Sequence, residues 1–254
     1  MAKYEIIDGV GIIPDGEYEV ESDAFKGCAD LKSVVIPDSV TEIRVDSFRN
    51  CTSLTSVVIP KNLSSIFLGT FAGCPNLKDV KVVAENPWFD LREGCNAIIS
   101  TKSNELVMGF SSTVIPDSVV KIHSSAFEDC TGLTSIFIPA SVKEIDGNAF
   151  SGCVDLESVE IAEGGITKIG LGAFSGCEKL KSIVIPDGVT EIDLFTFSKC
   201  YALRSITLPV GVEKINEDFS ESKELEAIYV PAGTVEYYRE RLSKELHDKI
   251  VELK

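Results

Sequence analysis

Phenylalanine returns at positions 25, 48, 71, 127, 150, 174, 197 and 219, and cysteine follows three residues behind at 28, 51, 74, 130, 153, 177 and 200. The Phe steps are 23, 23, 56, 23, 24, 23 and 22 residues, so one unit runs ten residues longer than its neighbours. A period this regular points to a repeat architecture and away from an ordinary globular core. One 23-residue unit cannot bury an apolar face by itself. Stacked units can, because each covers the next and the inward columns become a core.

Aligned on the period, four segments read LKSVVIPDSVTEIRVDSFRNC, LTSVVIPKNLSSIFLGTFAGC, LTSIFIPASVKEIDGNAFSGC and LKSIVIPDGVTEIDLFTFSKC. The shared pattern is L-x-x-V-x-I-P-x-x-V-x-x-I-x-x-x-x-F-x-x-C. Its opening predicts a short strand with alternate residues inward, stopped by a proline that cannot donate to a ladder. Nine strands are predicted, near 33–36, 56–59, 79–82, 112–115, 135–138, 158–161, 182–185, 205–208 and 227–230, with an imperfect tenth near Gly11–Ile13. At ~4.8 Å per strand they would form one parallel sheet about 40 Å long.

This repeat resembles the Treponema-pallidum-type, or BspA-like, leucine-rich repeat family over roughly Ile12 to Pro231. The expected fold is a leucine-rich-repeat solenoid, mostly β, with a curved parallel sheet on its concave side. The chain reads as one domain over 1–254. An N-terminal cap covers 1–13, repeats cover 12–231 with an irregular hairpin-bearing coil at 84–111, and a helical C-terminal cap covers 232–254. Bacterial origin and a role in surface adhesion or host contact are what the resemblance implies.

Each cysteine falls in an inward column, where a free thiol serves as a small hydrophobe beside the phenylalanines. Stacked columns would bring thiols within disulfide reach, but parallel side chains in a seven-membered ladder cannot all pair. No C-x-x-C is present, and His123 and His247 stand far from every cysteine, so no metal site is expected. Cys95 lies off the column in the long coil, where it is a candidate exposed and reactive thiol, or a structural one if the CNAII segment there starts a strand.

In the long coil, Ala97-Ile98-Ile99 and Leu106-Val107-Met108 flank the polar STKSNE, which predicts a β-hairpin. A projecting hairpin beside Trp88, the only tryptophan, would be a second place for a binding surface. The tail predicts a short helix started by Thr234, with Tyr238 and Leu242 facing inward, and then a closing strand at Ile250, Val251 and Leu253.

The chain carries 24 basic and 40 acidic residues, a formal net charge of −16. That balance disfavours phosphate backbones and anionic lipid surfaces, so no nucleic acid and no membrane insertion are expected, and a monomer is favoured. The opening MAKYEIIDGVGIIPDG has no apolar signal core. The location therefore reads as cytoplasmic if Met1 is the natural start, and as secreted or cell-surface if a leader has been removed.

No catalytic motif occurs, and neither an enzyme nor a cofactor is expected. Asp38, Asp117 and Asp187 share a column after the proline, which reads as strand-end turn chemistry or as a calcium edge. The remaining candidate is the outward face of the strands. One outward column is mostly serine. The other is Val35, Val58, Lys81, Val114, Phe137, Glu160, Val184, Thr207 and Tyr229. β-branched residues suit strands wherever they sit. Phe137 and Tyr229 go further, since exposed aromatics make poor filler and good anchors. The sequence thus points to a non-enzymatic module that binds a protein through its concave sheet. The alternatives are an intracellular scaffold or a carbohydrate-binding groove on the same face.

Overall fold

The computed structural model describes residues 3–216, 219 and 221–254. It is a β-solenoid in which a regular coil contributes one strand to a first sheet, turns at the proline, and adds a two-residue strand to a second sheet, itself made of two sheets of three and eight strands. A turn through the Phe and Cys positions then leads to the next coil. Of the nine strands predicted for the first sheet, eight form: Ser33–Val35, Ser56–Ile59, Asp79–Val82, Ser135–Ile138, Ser158–Ile161, Ser182–Val184, Ser205–Thr207 and Ala227–Val230. The tenth forms as Val10–Ile12, paired in parallel with Ser33–Val35 and capped by the antiparallel strand Glu5–Ile7.

The strand predicted near 112–115 does not form, and the first sheet is therefore two sheets of five and six strands. The cause is one residue. Thr113 stands where the other coils place an inward Val or Ile, and it is buried. Its hydroxyl donates to the Asn96 carbonyl at 2.6 Å and accepts the Phe110 N–H at 2.8 Å. The Thr113 N–H, which in a regular coil would face the next strand, turns instead to the Phe110 carbonyl at 3.0 Å. The segment is thus tied to its own coil and makes no ladder with Ser135–Ile138.

The hairpin forms, but it does not project. Ala97–Ser100 and Glu105–Gly109 pair antiparallel and lie within the second sheet, between Phe89–Asp90 on one side and Lys121–Ile122 on the other. It divides the interior. Ile98 and Met108, which are cross-strand partners, pack into the N-terminal core, whereas Ala97, Ile99 and Leu106 pack into the C-terminal core. The single continuous core expected of regular coils is two cores with a hairpin wall between them.

The phenylalanines divide in the same way. Phe25, Phe48 and Phe71 stack at 5.3 and 5.2 Å, with Tyr4 capping the pile at 5.7 Å. Phe127, Phe150, Phe174, Phe197 and Phe219 form a second stack at 4.8 to 6.0 Å. Gly109 occupies the Phe position between them, since its N–H bonds the Ala126 carbonyl just as the Phe127 N–H bonds that of Ala149. A Cβ on Gly109 would lie 2.0 Å from the Phe127 ring, so the missing side chain is what lets that ring sit there. Arg49 ties the halves across this seam on the surface, pairing with Glu128 at 2.7 Å and with Asp129.

The cysteine column is buried or half-buried as expected, and it has a directional role that the sequence did not show. The thiols of Cys51, Cys74, Cys153, Cys177 and Cys200 each donate to the carbonyl of the phenylalanine one coil earlier, at 3.0 to 3.3 Å. Cys51, Cys74, Cys95, Cys130, Cys153 and Cys177 are free thiols. Burial pushes Cys153 and Cys177 well above the ordinary thiol range, and Cys130 up to about 12. These groups are packing elements rather than nucleophiles.

The second sheet carries a charge ladder on its outer face. Register aligns Glu105, Lys121, Glu144, Lys168, Glu191 and Lys214 across six adjacent strands, acid and base alternating. Lys121 and Lys168 each lie 3.1 Å from Glu144, and these two lysines hold its carboxyl below the usual carboxylate range.

At the C terminus the helix Val235–Arg239 follows Thr234, whose hydroxyl donates to the Pro231 carbonyl instead of capping the helix. Tyr238 and Leu242 are buried, and the Tyr238 hydroxyl donates to the Pro209 carbonyl. Burial raises that phenol to about 12. The strand Ile250–Glu252 then pairs in parallel with Ala227–Val230 and closes the sheet.

Candidate functional site

Period-2 alternation sets the first sheet's two faces. Val34, Val57, Ile136, Ile183 and Ile206 point into the core, so their neighbours point to solvent. Those neighbours include four valines and a phenylalanine: Val35 (55% exposed), Val58 (45%), Val114 (70%), Phe137 (49%) and Val184 (55%). Lys81 and Glu160 are exposed charged members of the same column, while Thr207 and Tyr229 are half-buried. In-register pairing makes Phe137 the neighbour of Glu160, and Thr207 the neighbour of both Val184 and Tyr229. The structure therefore brings these positions into two rows rather than one, because the interruption at Thr113 falls between Lys81 and Phe137.

At that interruption a groove of about 280 Å³ opens between residues 112–115 and 135–137, with Val114 on one wall and Phe137 on the other. No charged side chain lines it. The two strands facing the gap differ in character: Asp79–Val82 carries the Lys81–Asp79 ion pair at 3.3 Å, and Ser135–Ile138 carries no charge. The sequence signal for this groove was available, since a polar threonine interrupts an inward column of Val and Ile.

The hairpin candidate lies elsewhere. Trp88 is 45% exposed beside the hairpin tip, its carbonyl accepting from the Thr101 N–H at 2.9 Å, and it belongs to the second sheet's side of the molecule. Cys95, the other candidate of the long coil, is buried, and burial raises its thiol.

Turn chemistry accounts for two of the three aspartates in the column. Asp38 accepts the Lys61 N–H at 3.4 Å, and Asp187 accepts the Val210 N–H at 3.3 Å, each tying its turn to the next coil. Among the described residues no group of three or more His, Cys, Asp or Glu side chains is placed to hold a metal ion. No helix among them is long and apolar enough to cross a membrane.

A family model for the BspA type leucine rich repeat region matches residues 11–87 and 98–240 in six copies. The chain belongs to the BspA-type leucine-rich repeat family. Among solved structures, this BspA-type chain is similar to a leucine-rich cell surface protein of Faecalibacterium prausnitzii A2-165. The identity is 30%, with a TM-score of 0.78, covering 92% of this chain and 62% of that one. It thus spans about three-fifths of that relative's length. The pneumococcal vaccine antigen PcpA shares the fold at 17% identity and a TM-score of 0.69, covering 96% of this chain and 68% of that one. No curated protein matches the chain. The BspA-type repeat is a repeat scaffold, and one protein similar to this chain is a cell surface protein.

Proposed function

We propose that this chain is a non-enzymatic protein-interaction module that binds a protein partner through its first, concave sheet. In this reading all 254 residues act as one solenoid unit. The observation that carries it is the outward set of Val35, Val58, Phe137 and Val184 on the first sheet's strands, with Val114 beside the interruption, each between 45% and 70% exposed. Strand propensity favours β-branched residues, but it supplies no reason to leave a phenylalanine half in water. The first-named relative is a cell surface protein, which supports a role in surface adhesion or host contact.

The test is affinity capture from host-cell surface extract and bacterial lysate in parallel, with the native chain and a Val58→Asp, Phe137→Asp, Val184→Asp variant whose fold is checked by circular dichroism. A protein held by the native chain and lost by the variant supports the reading, and its source separates adhesin from intracellular scaffold. Equal retention by both baits would move the site off the concave sheet.

A further inference from the structure

We infer that the partner is engaged by strand addition at the interruption of the first sheet. An extended, uncharged segment of the partner protein lies along the open edge of Ser135–Ile138 and places one apolar side chain between Val114 and Phe137. This rests on the concave-sheet reading above and names where and how the contact is made.

The regular coils show which backbone groups the edge leaves open. The residue before each strand donates to the previous coil, as Lys32 N–H does to the Gly9 carbonyl at 2.7 Å and Glu157 N–H to that of Thr134 at 2.9 Å. The first strand residue donates likewise, Ser33 to Gly9 at 3.2 Å and Ser158 to Thr134 at 3.4 Å. The third accepts from the previous coil: the Val35 carbonyl takes the Ile13 N–H at 3.4 Å.

In the interrupted coil the corresponding groups are the Thr134 N–H, the Ser135 N–H and the Phe137 carbonyl. Among the described residues, none of them is hydrogen-bonded to residues 111–115, and the Thr113 N–H that would face the strand is turned to the Phe110 carbonyl. Three backbone groups therefore face the groove at the spacing of a strand.

An open edge inside a solenoid invites pairing, and proteins usually blunt such edges with charge. The opposing edge, Asp79–Val82, is blunted in this way by Asp79 and Lys81, and Ser135–Ile138 is not. The occupant has to offer backbone donors and acceptors at strand spacing together with an apolar side chain on alternate residues. An extended peptide does both. A sugar offers hydroxyls but no such side chain. A charged segment would lose its hydration in a groove with no counter-charge, which selects an uncharged one.

The probe is an acetylated, amidated hexapeptide of alternating threonine and valine with a Gly-Ser tail, tested against the isotopically labelled full chain by amide NMR. Binding should shift the Thr134 and Ser135 amides and slow their exchange at least about tenfold. N-methylation of the peptide amides on one edge should weaken binding at least about tenfold, since it removes the ladder and keeps the side chains. Phe137→Asp should abolish binding, and Leu171→Asp, an exposed apolar position outside the outward row, should leave it unchanged. Equal affinity for the N-methylated peptide overturns strand addition, as does the absence of any shift at Thr134 and Ser135 at millimolar peptide. Binding lost in Val184→Asp but kept in Phe137→Asp also overturns it, while leaving the concave-sheet reading intact. That reading fails only in the capture experiment.

Discussion

Gly109→Ala tests the seam between the two cores more directly than any other single change. The added methyl would sit 2.0 Å from Cε1 and 2.2 Å from Cζ of Phe127, where ordinary contact begins at 3.4 Å. The ring would have to withdraw by about 1.4 Å, and there is nowhere to go: it is 1% exposed and stacked on Phe150 at 4.8 Å. Overpacking of this kind costs ~1–3 kcal/mol, and expelling the ring instead would cost the ~3–5 kcal/mol of a Phe truncation. About 3 kcal/mol is expected, which for a chain of this size lowers Tm by about 6–12 °C. The assay is a thermal melt followed by far-UV circular dichroism and calorimetry. Gly109→Ala combined with Phe127→Leu should cost clearly less than the sum of the two single variants, because the smaller side chain clears the methyl. A Gly109→Ala Tm within about 2 °C of native, or strict additivity in the double variant, would refute the idea that Phe127 occupies the space left by the glycine.

Other expectations follow from the same contacts. Arg49→Ala leaves the half-buried Asp129, whose carboxyl burial already raises, without its cation and should cost ~1–3 kcal/mol near pH 7. A raised carboxyl pKa contributes more stability as pH falls, so this deficit should shrink in denaturant melts taken near pH 4.5, and a pH-independent deficit would sink the assignment. Glu144 has the opposite sign. Its pKa is lowered by Lys168 and Lys121, so its contribution is present above the ordinary carboxylate value and is lost as pH falls through the depressed one. Glu144→Gln should therefore cost at most ~1 kcal/mol at pH 7 and progressively less as pH falls below the ordinary carboxylate range, with the difference screened in high salt. Cys153→Ser and Cys153→Ala should be close in stability, because the Phe127 carbonyl 3.0 Å from Sγ gives a serine hydroxyl a partner. The two should agree within ~0.5 kcal/mol in guanidinium melts. A serine variant worse by ~2 kcal/mol or more would deny that hydrogen bond.

The repeat, the parallel strands, the buried Phe and Cys columns and the closing tail were legible because each follows from a period and an alternation. The long coil was only half legible. The apolar runs at Ala97–Ile99 and Leu106–Met108 predicted a hairpin, but both of its faces are apolar, and that is the mark of a wall between two cores rather than of a projection. Thr113 marked the broken strand. It went unread because one polar residue in a column is tolerated where its hydroxyl finds partners, and those partners, Asn96 and Phe110, belong to a coil with no fixed spacing. Alternation alone gave the outward positions of the strands that form. It did not give the groove, which depends on a strand that fails to form. The thiol-to-carbonyl bonds were invisible for a similar reason, since they join residues one coil apart whose approach only stacking defines.

The Glu–Lys ladder on the second sheet bears on how such a chain finds its order. Neighbouring coils here are nearly interchangeable in sequence, so a coil that skips one neighbour and docks on the next would still offer matching Leu, Phe and Cys shapes. The alternation of Glu105, Lys121, Glu144, Lys168, Glu191 and Lys214 makes that error visible in charge. Correct stacking sets acid beside base at each of these five steps, although the first coils set Glu19 beside Glu42 and Glu42 beside Ser65. A skipped coil would set Glu144 against Glu191, or Lys121 against Lys168, exchanging attraction for repulsion worth a few tenths of a kcal/mol or more at each mismatch. The ladder acts as a parity check on coil order, a function that needs no partner and ends once the chain has folded.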